Sequence, residues 1–207
     1  MNARPKRLYD FPFSGNGYKV RLALAQIGIT VEYETVDLLV GETRSRAFLA
    51  KNPMGQIPVL ELDDGTLLRE SNAIVFWLAE DTWLMPKDRL GRARMLQWMF
   101  FEQNNIDKVI GRVRFLRRYP DFMATSQSDF DLWHDIGNNA LNILGAELSA
   151  HTFVVGNRYC AADICVYGYV HCAAEAGFEM RRYPSVTAWL DRVRRQPGHI
   201  PLRSAQS

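Results

Sequence analysis

The stretch Ile57-Pro58-Val59-Leu60-Glu61-Leu62-Asp63-Asp64-Gly65-Thr66-Leu67-Leu68 decides the fold of the first part of the chain. Two apolar runs flank Asp-Asp-Gly, a composition typical of the turn of a β-hairpin. We therefore predict antiparallel strands over residues 57–62 and 66–68.

The residues on either side of this hairpin alternate between strand and helix patterns. Strands are predicted over residues 6–9 and 31–38. Between them, the apolar residues of 18–27 recur at helical spacing, and Gly28 is expected to end that helix. A short helix is predicted over 42–50, and Ser71 is expected to begin another. Because a strand–helix–strand unit forms a parallel pair, the order βαβαββα predicts a mixed four-stranded sheet with helices on its faces.

The remainder of the chain has helical patterns only, over residues 92–118, 130–148, 161–176 and 186–194. We therefore divide the chain into an α/β domain (1–81), a linker (82–86) and an all-helical domain (87–207).

Composition limits the class of protein. The chain has 207 residues, 47% of them hydrophobic, and a net charge of +2, so nothing demands nucleic acid or an anionic membrane as partner. No apolar run reaches the ~18 residues of a membrane span, and no signal peptide is visible. Three cysteines without a CxxC pair, and four scattered histidines, predict a cytoplasmic protein without a metal.

Three features of the first domain point to an anion or amino-acid site. Ser14 stands where the first helix begins, so its hydroxyl and the helix N-terminus can stabilise an anion, or it is simply an N-cap. Pro58 begins a strand; if its peptide bond is cis, the Ile57 backbone can pair with a peptide-like ligand, although trans is the usual form. Glu70-Ser71 offers a carboxylate to an ammonium group and a helix start to a carboxylate, or is a plain cap.

In this order and spacing, four motifs resemble those of the cytosolic glutathione transferases. They are Ser-Gly-Asn-Gly-Tyr-Lys-Val-Arg-Leu from Ser14, Gly-Gln-Ile-Pro from Gly55, Glu-Ser-Asn-Ala-Ile from Glu70 and Cys-Ala-Ala-Asp-Ile from Cys160. The resemblance covers nearly the whole chain. It implies a thioredoxin-like N-terminal domain followed by an all-α helical bundle, as in bacterial, serine-type members with a zeta- or theta-like N-terminal motif.

The resemblance also assigns roles in glutathione binding. Ser14 would hydrogen-bond the sulfur, and Ile57, before a cis-Pro58, would pair its backbone with the cysteinyl unit. Glu70 and Ser71 would hold the γ-glutamyl ammonium and carboxylate. Lys51 and Gln56 lie where side chains often approach the glycyl end. The hydrophobic co-substrate pocket would be formed by Phe13, Met99, Phe100, Gln103, Arg114 and Tyr119. The alternative for the five residues after Phe13 is that they belong to the core or to a solvated helix face.

Two positions depart from the family pattern. Asn16 replaces the cysteine of the zeta class, which weakens a maleylacetoacetate isomerase interpretation; its amide can share or replace the role of Ser14. Cys160 replaces the Ser or Thr of a helix-capping box, so Asp163 is expected to carry most of that cap.

The expected function is therefore a glutathione transferase or peroxidase acting on a small electrophile or peroxide. A glutathione-dependent isomerase or dehalogenase, and a non-catalytic interaction protein, remain alternatives. The resemblance also implies a homodimer, and the apolar residues Met95, Trp98, Met99 and Phe101 on more than one helix face agree with it.

Overall fold

The computed structural model describes residues 3–202. Among these residues two compact units separate. Those up to Thr82 and those from Pro197 onward form the first, and Trp83–Gln196 form the second. Residues 197–202, which the sequence analysis assigned to the helical domain, therefore belong with the α/β unit.

The first unit contains the expected mixed four-stranded sheet. Its strands are β1 (Pro5–Asp10), β2 (Glu32–Thr35), β3 (Val59–Leu62) and β4 (Leu67–Leu68), in the spatial order β2-β1-β3-β4. β1 pairs with β2 in parallel, whereas β1 with β3 and β3 with β4 are antiparallel. The crossover and the hairpin are thus both confirmed.

Three helices accompany this sheet, namely α1 (Gly15–Gln26), α2 (Arg46–Lys51) and α3 (Ser71–Ala79). Phe48 of α2 packs with Tyr9, Val36 and Val59 in a buried cluster, and α1 packs against α3. The helix predicted over 42–50 is interrupted: a 3-10 turn, Glu42–Arg44, precedes Ser45, whose Oγ accepts the Phe48 N–H at 3.2 Å. This cap starts α2 at residue 46.

The second unit is helical, as predicted. Its helices are α4 (Arg89–Glu102), α5 (Arg112–Arg118), α6 (Gln127–Ala150), α7 (Ala161–Val170) and α8 (Pro184–Arg194), with π-helix over Gln103–Gly111 between α4 and α5. α4 packs against α7 and α6 against α8. The single helix expected over 92–118 is therefore three consecutive segments, because the π-helix changes the hydrogen-bond spacing in its middle.

The apolar residues offered as the motive for a dimer are largely internal. Met95, Trp98 and Met99 are 0%, 7% and 3% exposed, so these side chains need no second chain to cover them, contrary to the expectation. The large apolar side chains that α4 leaves exposed are those of Leu90 and Phe100, at 59% and 65%.

Candidate functional site

The turn between β1 and α1 positions Ser14 at the start of α1. Its backbone N–H donates to the Phe11 carbonyl at 2.9 Å, and its Oγ accepts the Gly17 N–H at 3.0 Å. Ser14 is therefore the N-cap of α1. Because the hydroxyl oxygen is the acceptor in that bond, its proton can still be donated to an anion at the helix N-terminus.

An ion pair holds this turn in place. Arg21 donates from Nη2 to the Pro12 carbonyl at 2.8 Å and from Nε to Oδ2 of the fully buried Asp10 at 3.0 Å. The Tyr33 hydroxyl donates to the same carboxylate oxygen at 3.3 Å. Burial raises the pKa of Asp10 to about 6, because its desolvation outweighs the attraction of Arg21. The backbone that carries Ser14 is thus tied to the end of β1.

The segment before β3 is shaped by the buried side chain of Asn52. Its Nδ2 donates to the Gln56 carbonyl at 2.6 Å. Gly55 has a φ of +60°, where a residue with a Cβ is strained. The Ile57–Pro58 peptide bond is cis. The half-buried Ile57 side chain packs against the buried cluster that Phe48 forms with Tyr9, Val36 and Val59.

The start of α3 differs in detail from the expectation. Ser71 was expected to be the N-cap, but the cap position belongs to Glu70, which has φ +65° and no side-chain capping bond. Ser71 is instead the first helical residue, with only 4% of its surface exposed. Its backbone N–H is one of those that an α-helix leaves without an intrahelical partner. The exposed Glu70 carboxylate stands directly before it.

Asn16 lies at the centre of a hydrogen-bond network between α1 and α3. Its Oδ1 accepts the Ser71 hydroxyl at 3.0 Å and the Lys19 ammonium at 2.8 Å. The same ammonium donates to Oδ1 of Asn72 at 3.3 Å. Lys19 is fully buried. The structure thus brings together Asn16 and Ser71, which the sequence analysis had selected, with two residues that it had not.

The two residues expected near a glycyl end are also in the first unit. The Lys51 ammonium lies 4.6 Å from the centre of the Tyr9 ring, a cation–π contact, while the Gln56 side chain is exposed. The Tyr9 hydroxyl in turn donates to Glu61 at 2.6 Å. Lys51 is thus fixed at the side of the sheet that α2 covers.

The residues expected to form the co-substrate pocket differ widely in exposure. Phe13 is half-buried, with its ring 5.6 Å from that of Phe11, and Phe100 is exposed. Met99 is buried, and Arg114 is 7% exposed with its Nε donating to Glu175 at 2.7 Å.

Two further pocket candidates are half-buried and hydrogen-bonded to neighbours on the same helical stretch. Gln103 donates to Asp107 at 2.9 Å, and the Tyr119 hydroxyl accepts from Arg118 at 3.1 Å. Gln103 lies in the π-helical segment, so its direction differs from that of a residue in a regular α-helix.

The α7 start is organised by Asp163. Its Oδ2 accepts the Cys160 N–H at 3.0 Å, while its Oδ1 accepts from the Val154 N–H at 3.1 Å and the Trp189 indole at 2.9 Å. Cys160 and Asp163 form a capping box. Burial raises the pKa of the Cys160 thiol well above its ordinary value, so it stays protonated and has a structural role.

Sequence reasoning missed Lys19, Asn72, Asp10 and Arg21. The signal for Lys19 was present: it follows Asn16 by three residues on one helix face, and it interrupts an apolar stripe that otherwise faces the core. Asn72 and Asp10 act through contacts that are distant along the chain, which a local pattern does not reveal. Within residues 3–202 no group of three or more His, Cys, Asp or Glu could hold a metal, and no helix is long and apolar enough to cross a membrane.

Comparison with known proteins gives consistent matches over both units. Residues 8–82 match the family model of the glutathione S-transferase N-terminal domain, and residues 117–197 match that of the C-terminal domain. A crystal structure of glutathione S-transferase from Pseudomonas fluorescens is 41% identical, with a TM-score of 0.92; the match covers 96% of this chain and 98% of that one.

Two further proteins broaden the comparison. A glutathione transferase from Burkholderia graminis, solved with two glutathione molecules bound per subunit, is 27% identical with a TM-score of 0.82, over 94% of this chain and 85% of that one. Elongation factor 1-gamma from Artemia salina is 31% identical over 89% of this chain and 43% of its own length. The chain thus spans less than half the length of that relative.

Proposed function

Because the chain belongs to the glutathione S-transferase family, we propose that it binds glutathione in its first unit and promotes attack of the glutathione sulfur on a small electrophile. The observation that carries this proposal is the 3.0 Å hydrogen bond from Ser71 to Asn16. It joins the start of α3, suited to an amino-acid group, to the turn of Ser14, suited to a sulfur anion.

The γ-glutamyl group is proposed to bind at the start of α3. The Ser71 N–H and the positive end of the helix suit its carboxylate, and the exposed Glu70 carboxylate suits its ammonium group. The Ile57 backbone would pair with the cysteinyl unit as an added strand. Lys51 and Gln56 are the proposed contacts of the glycyl end.

Ser14 is the proposed principal donor to the sulfur, with Asn16 as a second donor. A thiol of pKa ~8.5 is only about 3% ionised at pH 7, and the thiolate is the nucleophile. A hydrogen bond to a charged acceptor contributes ~1.5–3 kcal/mol, which lowers a pKa by about 1–2 units. The bound thiol is then close to half ionised at neutral pH without a general base.

The proposed reaction is a displacement or addition at the electrophile. The thiol proton passes to water, the sulfur lone pair forms the bond to an electrophilic carbon, and any leaving group departs with its bonding electrons. Attack on a peroxide oxygen, and the isomerase and dehalogenase reactions, begin from the same thiolate. A panel of aryl halides, hydroperoxides and maleylacetoacetate analogues separates these activities.

Titration calorimetry with glutathione tests the binding step. We expect saturable binding that Ser71→Ala weakens, because the variant loses the hydroxyl that ties the start of α3 to Asn16 and so holds the γ-glutamyl subsite in place. Arg181→Ala, a change at an exposed residue of the second unit, is the matched control and should bind as the parent protein does. Absence of binding heat, together with no retention on immobilised glutathione, would contradict the proposal.

The second candidate function is that of a non-catalytic interaction protein, which the 31% identity to elongation factor 1-gamma favours. A protein of that kind has no need of the Glu70-Ser71 helix start or of a sulfur donor. Retention on glutathione with turnover of an electrophile would exclude it, whereas glutathione binding with no turnover across the panel would support it. A homodimer and a cytoplasmic location are proposed on the family resemblance.

A further inference from the structure

Lys19 is a fully buried cation in the α1 helix, next to the proposed sulfur site. Its ammonium donates to Oδ1 of Asn16 at 2.8 Å and to Oδ1 of Asn72 at 3.3 Å. Removing an ammonium group from water is expensive, so a lysine is rarely buried completely without specific partners.

Asn16 connects the Lys19 ammonium to the start of α3. Its Oδ1 accepts two hydrogen bonds, from Lys19 at 2.8 Å and from Ser71 at 3.0 Å. The ammonium can only donate, so the atom of the amide that faces it must be the oxygen. The Ser71 hydroxyl, which can donate or accept, then donates to that oxygen. The amide oxygen is thereby fixed toward α3 and the lysine, which turns the amide N–H groups to the opposite side.

We propose that Lys19 is a positioning residue that fixes the Asn16 amide with its oxygen on the ammonium and its N–H toward the sulfur of bound glutathione. This inference rests on the proposed function. A cation at the carbonyl end of an amide also polarises it, which makes the N–H end a stronger donor. Lys19 therefore acts on the sulfur through Asn16 rather than by touching it.

The same network links two parts of the glutathione site. Ser71 belongs to the proposed γ-glutamyl subsite, and its hydroxyl donates to the oxygen that Lys19 also holds. Occupation of that subsite and orientation of the sulfur donor therefore share Asn16. Arg21, a second cation on the same helix, is engaged with Asp10 at the end of β1 and with the Pro12 carbonyl.

The test compares the parent protein with Lys19→Met, Lys19→Arg, Asn16→Ala and the double variant Asn16→Ala/Lys19→Met. Thermal unfolding first establishes that each variant is folded, and calorimetry establishes that glutathione binds. Ultraviolet absorbance of the thiolate against pH then gives the pKa of the bound thiol. If the parent protein does not bind glutathione, the proposed function fails; if it binds, the titrations decide the role of Lys19.

We expect Lys19→Met to raise the pKa of the bound thiol by about one unit, and so to lower the rate at neutral pH roughly 5-fold, with recovery as pH rises. Lys19→Arg, which keeps the positive charge, should keep the thiol pKa and the rate close to those of the parent protein. By linkage, a rise from about 7 to about 8 weakens binding at pH 7 only about twofold. In the Asn16→Ala background, Lys19→Met should produce no further shift.

Two results would overturn the proposal. One is an unchanged pKa of the bound thiol in Lys19→Met. The other is a rise of that pKa by Lys19→Met that is as large in the Asn16→Ala background as in the parent protein, which would mean that the charge acts directly on the sulfur. Should Lys19→Met not fold, Asn72→Asp offers a milder route. It places a carboxylate against the ammonium and offsets its charge while the ammonium still donates to Asn16, so a smaller rise of the thiol pKa that also depends on Asn16 is expected.

Discussion

The carboxylate of Asp10 occupies the space in which a Cβ on Gly17 would lie: Oδ1 of Asp10 would be 1.7 Å from such an atom. Asp10 ends β1 and Gly17 is in the first turn of α1, so this contact sets how closely the helix follows the strand. Only glycine allows that approach, and the position of the Ser14 turn depends on it.

Gly17→Ala should therefore destabilise the protein by at least ~1–3 kcal/mol, the range of overpacking changes in a buried site. Chemical denaturation measures the free energy of unfolding. Gly145→Ala is the matched control, because a Cβ there would meet only Val186 at 3.8 Å and alanine favours the helix by ~1 kcal/mol. Equal effects of the two substitutions would refute the close packing of Asp10 on Gly17.

Asp10 should also make stability depend on pH. Burial raises its pKa from 3.8 to about 6 in the folded state, so the Asp10 carboxylate binds a proton more tightly in the folded protein than in the unfolded chain. The resulting stabilisation is complete below pH 3.8 and is lost as pH rises through about 6.

Asp10→Asn has no proton to bind, so its free energy of unfolding should fall less between pH 4 and pH 6.5 than that of the parent protein. Urea unfolding at a series of pH values measures the two slopes. Parallel curves would show that Asp10 does not titrate in this range.

The α7 cap gives a prediction on stability alone. Asp163→Ala leaves three N–H donors without their carboxylate, those of Cys160, Val154 and Trp189, and should cost about 3 kcal/mol or more. Cys160→Ala should cost less, and Cys160→Ser should stabilise by about 0.5–1 kcal/mol, because a hydroxyl is a better cap than a thiol. Thermal unfolding that ranks Cys160→Ala as the more damaging change would contradict the role given to Asp163.

Ser14→Ala tests the principal sulfur donor. It should raise the pKa of the bound thiol by about 1–2 units and lower the rate at neutral pH roughly 10- to 100-fold, with partial recovery at higher pH. It should also cost ~1 kcal/mol of stability, because the Gly17 N–H loses its cap.

The outcome for Asn16→Ala completes that experiment. A normal thiol titration in Ser14→Ala beside a shifted one in Asn16→Ala would assign the donor role to Asn16. A shift in neither variant would leave backbone N–H groups at the start of α1 as the stabilising donors.

Light scattering tests the homodimer. We expect a mass near twice the 23.8 kDa of one chain at micromolar concentration. Phe100→Asp introduces a charge at an apolar side chain that is 65% exposed, and should weaken association if α4 contributes to the interface. A mass of one chain for the parent protein would exclude the dimer.

The sequence alone determined the order of the elements, because strand alternation, helical spacing and turn residues are local properties. The Asp-Asp-Gly hairpin between β3 and β4 and the N-cap at Ser14 could be predicted because each depends only on residues close to it along the chain. For the same reason the family motifs could be recognised, and with them the expected glutathione site. That site remains a prediction at the level of individual residues.

Tertiary structure decided the features that depend on contacts far apart along the chain. The Tyr18 hydroxyl donates to the Ile200 carbonyl at 2.7 Å, which holds the stretch after Pro197 in the first unit although it follows the helical domain. Asn16 likewise finds its partner Ser71 55 residues away, and the burial of Lys19 places the ammonium that determines the direction of the Asn16 amide. A local pattern shows that such side chains can form hydrogen bonds, but only the packing of α1 against α3 selects their partners, because burial makes an unpaired polar group too costly.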